Sequence, residues 1–304
     1  DEHLERVLEA FARARARARA RAGAPPVPRR GRPQPPAAGP IDPRILSSGG
    51  VFVTGTGTGV GKTVVVAALS RVLASAGLAV GAMKPVQTGA GTPGTGDVAF
   101  VVAAGGVAPH LAVTPYAFAD PLAPAVAARM AGRVIDLAEI IDAFGELRSK
   151  VDLVVVEGSG GLLVPLTERE TMADLAGEMR LPVVVVASPA LGTLNHTALT
   201  VEVARARGLE VLGVVLSGFP AHPDPAEATN PAEIERLAAT TLLGVLPELA
   251  GLEFDMGDPR PWLAHALGGC FYRPAFLDGL ADRPAFLDGL ADAPDEPRAQ
   301  HAPA

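Results

Sequence analysis

Cysteine is almost missing from this 304-residue chain: Cys270 stands alone, which excludes an intramolecular disulfide framework. No His/Asp pattern surrounds that thiol, so it reads as a tail or surface residue, and its isolation fits a reducing, cytoplasmic setting. Aromatic residues are few, at 4 %. Long apolar runs are absent, and none approaches the length that spans a bilayer. Lysine is scarcer than arginine by three (Lys62, Lys84, Lys150) to twenty-three. Positive charge is also missing from most of the chain. Residues 1–49 carry ten arginines against five acids, whereas the other 255 carry sixteen basic and twenty-eight acidic residues. An acidic body of that kind is a poor nucleic-acid surface, because phosphate backbones are bound by clustered Lys and Arg.

The basic stretch reads as foreign to the fold. Phe11 to Ala22 is a near-perfect Arg-Ala alternation, and Pro25 to Pro43 is rich in Pro, Gly and Arg. Such a segment buries too little apolar surface to offset its ordering entropy. A disordered, non-native extension, a solvated basic arm and a targeting peptide all fit it. Asp1, Glu2, Glu5 and Glu9 weigh against the last. At the other end Arg273–Asp282 recurs without change as Arg283–Asp292, a single duplicated decamer rather than a solenoid. The expected organisation is an extension over 1–49, one domain over 50–270 and a tail over 271–304.

What is present is concentrated in Val51-Phe52-Val53-Thr54-Gly55-Thr56-Gly57-Thr58-Gly59-Val60-Gly61-Lys62-Thr63. An apolar strand, a Gly/Thr-rich loop, Gly-Lys-Thr and a helical run follow one another, the context in which a P-loop is credible. Backbone N–H groups of such a loop and the helix N-terminus form a nest for phosphate oxygens. Lys62 would reach the β- and γ-phosphates, and the Thr63 hydroxyl would hold Mg²⁺. The usual pattern places glycine where Thr56 stands; here glycines fall at 55, 57, 59 and 61, so the loop is one residue longer. A plain Gly/Thr turn does not account for Gly-Lys-Thr at a helix start, nor for lysine retained where arginine's planar fork would not serve.

Apolar strand candidates at Val51–Val53, Leu78–Met83, Leu153–Val156, Val183–Ala187, Val211–Leu216 and Leu243–Leu246 alternate with helical stretches. The helices are expected at Thr63–Ala76, Pro124–Gly132, Asp136–Lys150, Met172–Met179, Leu194–Gly208 and Pro231–Thr240. Short continuous apolar strands between amphipathic helices predict an α/β fold. It is a single P-loop domain whose mostly parallel β-sheet is covered by helices on both faces. Ligands of such sheets bind beyond the C-terminal ends of the strands.

The remaining motifs fall at those ends. Lys84-Pro85-Val86-Gln87-Thr88-Gly89 brings an amine and a hydroxyl to the P-loop crevice; a turn carrying a solvated lysine is the alternative. Asp97, after Thr95-Gly96, is either a helix N-cap or a Mg²⁺ carboxylate. Glu157, closing an apolar strand and followed by Gly158-Ser159-Gly160-Gly161, has the position of the acid that holds Mg²⁺ beside the phosphates. A buried strand ending in an unpaired Glu is costly, so a cation partner is expected. Gly192-Thr193-Leu194-Asn195 opens another helix at an anion-ready N-terminus. His196, one turn in, reads as a packed or capping residue rather than a base. Ser217-Gly218 and Pro247-Glu248-Leu249 sit where a nucleotide base could rest.

Together the Thr54–Thr63, Lys84–Gly89, Glu157–Gly161 and Gly192–His196 segments resemble the dethiobiotin synthetases, ATP-dependent carboxylase-cyclases of biotin synthesis, from about Gly50 to Leu249. The resemblance implies a homodimer acting on ATP, Mg²⁺, CO₂ and 7,8-diaminopelargonic acid. A carbamate is phosphorylated to a carbamic–phosphoric anhydride and closes to a cyclic urea. It implies that Gly59, Val60, Gly61, Lys62, Thr63 and Val64 cradle the phosphates, and that Thr63, Asp97 and Glu157 hold Mg²⁺. Lys84 would be the catalytic lysine, with Lys62 on the γ-phosphate and Thr58 and Thr88 facing the diamine. Glu157, Gly158, Ser159 and Gly160 would line the nucleotide–substrate site. Gly192, Thr193, Leu194 and Asn195 would hold the substrate carboxylate of the neighbouring subunit; Ser217, Gly218, Pro247, Glu248 and Leu249 would flank the base. Ser217 stands where many members carry the asparagine that reads adenine, leaving the NTP preference open. Ser159 replaces the usual alanine. Two rivals are a partition- or cobyrinate-type ATPase acting as a nucleotide switch, and a scaffold protein using the basic arm on DNA or membrane.

Overall fold

A computed structural model describes residues 43–75, 77–89, 96–220 and 222–248; the expectations for residues 1–42, for Leu249, for Cys270 and for the duplicated decamer lie outside the described residues. The described fold begins with a short helix, α1 (Pro43–Ser48), inside the stretch expected to be foreign. Its one buried residue, Ile45, joins a core cluster with Val51, Val53 and Leu69. Ile45 and the exposed Leu46, adjacent in a six-residue helix, give no periodic signal, which is why the pattern missed it.

Strands β1 (Gly50–Gly55), β2 (Val80–Met83), β4 (Ala112–Val113), β6 (Leu153–Gly161), β7 (Val183–Ala187), β8 (Val211–Phe219) and β9 (Leu242–Pro247) form one sheet. Its order is β4-β2-β6-β1-β7-β8-β9, and every neighbouring pair is parallel. Two further short strands, β3 (Val86–Thr88) and β5 (Tyr116–Phe118), make a separate parallel pair that no alternation in the sequence announced. The helices between them are α2 (Lys62–Ser75), α3 (Asp97–Gly105), α4 (Pro124–Met130), α5 (Leu137–Arg148), α6 (Met172–Glu178), α7 (Thr193–Ala206) and α8 (Pro225–Ala238).

Strand pleating divides the core in two, because successive side chains point to opposite faces. Val51, Val53, Val80, Ala82, Leu153 and Val155 pack with Val65, Val66, Leu69 and Leu73 of α2 and with Phe100, Val101 and Ala104 of α3. Phe52, Val154, Val156, Val183 and Val185 pack instead with Ile140, Phe144 and Leu147 of α5, Met172 and Leu175 of α6, and Val201 of α7. Both faces are covered, as the continuous apolar strands predicted. At about 1.5–3 kcal/mol for each fully buried large aliphatic side chain, these two layers supply the driving force that the missing disulfides do not. No helix among the described residues is long and apolar enough to cross a membrane.

One helix starts earlier than expected. α8 opens at Pro225, not Pro231, because Asp224 and Glu227 form a reciprocal capping box around Pro225 at the first helical position. Pro231 lies inside the helix.

Topology sets the location of the site. From β1 the chain passes through α2 to β2 on one side, and from β6 it passes through α6 to β7 on the other. Adjacent strands β6 and β1 therefore send their connections in opposite directions, and a crevice opens beyond their C-terminal ends.

Candidate active site

The loop after β1 turns tightly enough to need glycine. Gly61 has φ +90°, and a Cβ there would meet the Ser217 hydroxyl at 2.2 Å. The lysine that follows opens α2, with its ammonium donating to the Gly57 carbonyl at 2.8 Å across the loop. Burial, helped by the nearby Lys84 ammonium, pulls the Lys62 pKa down to about 8 against the attraction of Glu157 and Asp97. A cation held so far from water is a strong partner for an incoming phosphate.

Strand register brings the next two groups together. Met83 is paired with Val156, so Lys84, just past the end of β2, and Glu157 lie side by side although 73 residues separate them. Glu157 does not close its strand as expected, because β6 runs on to Gly161. The pleat turns both toward the α2–α3 face, since Ala82 and Val155 already point there. The Lys84 ammonium lies 2.7 Å from Glu157 Oε1 and 2.7 Å from Asp97 Oδ2, and donates to the Gly158 carbonyl at 3.3 Å. The Thr63 hydroxyl donates to the same Glu157 oxygen at 3.0 Å. Lys84 and Glu157 are 4 % and 2 % exposed, too buried to be solvated alternatives to a pair. Asp97 is therefore no N-cap: Gly96 takes that place, and the first helical residue points its carboxylate at Lys84.

Each shift has a cause. Burial disfavours the Lys84 charge, but the Glu157 and Asp97 carboxylates outweigh it and hold the ammonium above the usual lysine range. Burial pushes the Glu157 carboxyl up, a push that Lys84 only partly offsets. For Asp97 burial also pushes upward, but the Lys84 ammonium, by its charge and its hydrogen bond, prevails and holds it below the usual range. Removing one partner of such a cluster strands a charge away from water.

These groups form the floor of a cleft of about 620 Å³. Thr58, Gly59, Val60, Gly61, Val64, Thr88, Ser159, Gly160, Ser217, Gly218 and Glu248 line it. Gly158 stands behind the wall, against Phe52. The Ser159 hydroxyl is committed to the Val86 carbonyl at 2.6 Å, tying the end of β6 to β3. Pro247 ends β9, and the next residue, Glu248, is exposed with its N–H on the Phe219 carbonyl at 2.7 Å. Gly192, Thr193, Leu194 and Asn195 do not line the cleft. They open α7, with Gly192 and Asn195 exposed and the Thr193 hydroxyl turned inward beside that of Thr197. His196 is exposed on the same turn, outside the cleft, where it is neither packed nor capping.

Pro121, Leu122, Ala123 and Val164, which add an apolar wall to the cleft, carry no signal in the sequence, and neither does the part played by Gln87. The first three lie in a loop without periodicity, and only a contact map could have found them.

The donor set suits Mg²⁺. Two carboxylates and a hydroxyl converge where a cation, the Lys84 ammonium, is already compensated. Among the described residues no group of three or more His, Cys, Asp or Glu converges, so a closed tetrahedral cage of the zinc type is not formed there. A sparse oxygen set is how Mg²⁺ is held when substrate phosphates complete its shell.

Comparison with known proteins adds names to this geometry. The sequence pattern of the AAA domain family matches residues 49–255. A protein of Anaeromyxobacter dehalogenans (strain 2CP-C) named ATP-dependent dethiobiotin synthetase BioD is 52 % identical over 200 residues, 65 % of this chain and 89 % of that one. Proteins of the same name from Frankia casuarinae and Bacillus cereus (strain G9842) are 47 % and 44 % identical. They cover 74 % and 66 % of this chain and 96 % and 84 % of their own lengths. Among solved structures, the cell division ATPase MinD of Pyrococcus furiosus superposes with a TM-score of 0.46 at 21 % identity, over 80 % of this chain and 99 % of that one.

Proposed function

This chain belongs to the ATP-dependent dethiobiotin synthetase family, and on that premise we propose that it carboxylates and cyclises 7,8-diaminopelargonic acid to dethiobiotin. The observation that carries the reading is the Lys84 ammonium, fixed between two carboxylates at the junction of a P-loop and an apolar wall. Phosphates suit one side of that junction and an aliphatic diamine the other.

The steps ask the protein for placement and charge rather than a nucleophile. One amine of the substrate adds to the carbon of CO₂, forming a C–N bond and losing a proton to give a carbamate. A carbamate oxygen then attacks the γ-phosphorus, and the bond to the bridging oxygen breaks to release ADP. The second amine attacks the carbamoyl carbon of this anhydride; the C–O bond breaks, phosphate departs, a proton is lost and the cyclic urea closes. The N–H groups from Gly59 to Val64 hold the phosphates, and Lys62 exchanges the Gly57 carbonyl for a γ-phosphate oxygen. Lys84, at the mouth of both halves, neutralises the carbamate and the charge growing on the transferred phosphoryl group. Thr58 and Thr88 orient the amines. Thr63, Asp97 and Glu157 would hold Mg²⁺, which supplies Lewis-acid neutralisation of the phosphates.

The exposed turn Gly192–Asn195, with Leu191 87 % exposed beside it, supports a homodimer in which the substrate carboxylate meets α7 of the neighbouring subunit. The enzyme would act in the cytoplasm.

The test combines protein, diamine, bicarbonate, Mg²⁺ and ATP, reading dethiobiotin by mass and ADP release. Product with diamine-dependent ADP release, lost in Lys84→Ala, supports the reading. ADP release that ignores the diamine and yields no product would overturn it. The same assay with CTP and GTP decides whether Ser217 relaxes the choice of base.

A further inference from the structure

Helix α3 begins without a cap of its own. Gly96 occupies the N-cap position with φ +109°, and it offers no side chain to the orphan N–H groups of the first turn. One of those groups is satisfied from a different element. The Gln87 side-chain carbonyl, on β3, accepts the backbone N–H of Asp97 at 3.1 Å. The other end of the amide donates to the Thr88 carbonyl at 3.0 Å. An acceptor partner on one side and a donor partner on the other fix which way the amide faces. Gly96 is what lets it approach: a Cβ at that position would lie 3.2 Å from both the Cδ and the Oε1 of Gln87. Gln87 itself lines the cleft.

We propose that Gln87 is a positioning residue that acts on the metal site through Asp97. By anchoring the Asp97 N–H from β3 it sets where the Asp97 carboxylate meets Lys84, Thr63 and an incoming Mg²⁺. The inference rests on the reading of Asp97 as a magnesium carboxylate. Packing of Phe100, Val101 and Ala104 against α2 holds the axis of α3, but Asp97 lies at its first residue, where helices fray and the last ångström is set by the cap. Ligating carboxylates need placement to within about 0.5 Å by a supporting hydrogen bond, and here that bond comes from the strand that follows the catalytic lysine. Lys84 and Asp97, thirteen residues apart in the sequence, are thereby referred to one short segment, Lys84–Thr88. The Lys-Pro-Val-Gln-Thr motif thus supplies both the cation and the clamp for its carboxylate partner.

The experiment is a Mg²⁺ titration of ATP binding followed by calorimetry, with no diamine present. Its readout is therefore independent of whether dethiobiotin is formed. Gln87→Leu should raise the Mg²⁺ concentration at half-effect by about tenfold, the factor that one lost hydrogen bond gives, and leave metal-free ATP binding unchanged. Gln87→Glu keeps an acceptor for the Asp97 N–H and should recover most of the shift, which also guards against a leucine variant that folds poorly. In an Asp97→Asn background Gln87→Leu should add nothing. The proposal is overturned if Gln87→Leu leaves the Mg²⁺ midpoint in place, or lowers thermal stability and metal-free binding without moving it. A shift that persists at full size without the Asp97 carboxylate overturns it too. If Asp97→Asn itself leaves the midpoint unmoved, the metal assignment falls and this inference with it, while the product assay still reports on the ligase reading.

Discussion

Two sets of ion pairs in this fold contrast sharply. In the cleft Lys84 lies 2.7 Å from both Glu157 and Asp97, with the side chains of Lys84 and Glu157 nearly sealed from water and that of Asp97 22 % exposed. On the surface Arg207–Asp174 at 3.0 Å and Arg236–Glu233 at 2.5 Å bracket that distance, yet their side chains are 37–66 % exposed. Distance alone would rank them together. Burial separates them, because the field of a charge grows as the surrounding dielectric falls, while an exposed pair is screened and gains little. The first set stores polarity for chemistry at a cost in stability. The second decorates helix ends.

Lys84→Met should break the contrast most visibly. It leaves two carboxylates facing each other, so turnover should drop by about 10²–10³-fold and the fold should lose about 3–5 kcal/mol, the usual cost of breaking a buried pair. Added Mg²⁺ should restore more of the melting temperature in the variant than in the parent. An unchanged melting curve would mean that the cluster is not electrostatically closed. Next in size is Thr63→Val, which removes the hydroxyl from Glu157 Oε1. About 1–3 kcal/mol and much of the Mg²⁺ dependence of ATP binding should go, read by chemical denaturation and by calorimetry.

On the surface the effects shrink. Arg207→Ala should cost less than about 1 kcal/mol, seen as a small shift of the urea midpoint with turnover intact. Asp174 adds a pH signature. Burial raises its pKa, but the Thr171 hydroxyl and N–H, with Arg207, outweigh that and hold the carboxyl below its ordinary value. A depressed pKa means that its contribution is complete above the unfolded value near 4 and fades as pH falls through the folded one. Stability of the parent should therefore decline more steeply below about pH 4 than that of Asp174→Asn; parallel curves would remove Asp174 from the account. Last, Arg236→Ala, on the surface of α8, should leave the melting temperature where it is.

The same division explains how much could be read in advance. Gly61-Lys62-Thr63 declared itself because a tight glycine turn before a helix is a local event, complete within a few residues. The parallel sheet was legible in runs such as Val183–Ala187, since burial on both faces forces continuous apolar strands. Asp97 could not be assigned: N-cap and metal carboxylate look alike in a sequence, and the structure removes the first by placing Gly96 at the cap and the Asp97 carboxylate 2.7 Å from Lys84. Pro231 resembles a helix start because proline favours that place, but the Asp224–Glu227 box opens the helix six residues earlier, at Pro225.

By itself, then, the sequence determined the local objects: a phosphate loop, buried strands, and a lysine and a glutamate each following an apolar strand run. Which of them meet was decided by tertiary structure alone. Parallel pairing sets Met83 against Val156, and strand pleating turns Lys84 and Glu157 to the same side. Gln87 reaches across to the first residue of α3. Backbone conformation and burial are dictated by neighbours in the chain, but a buried charge finds its partner through sheet register, which no short window of residues contains.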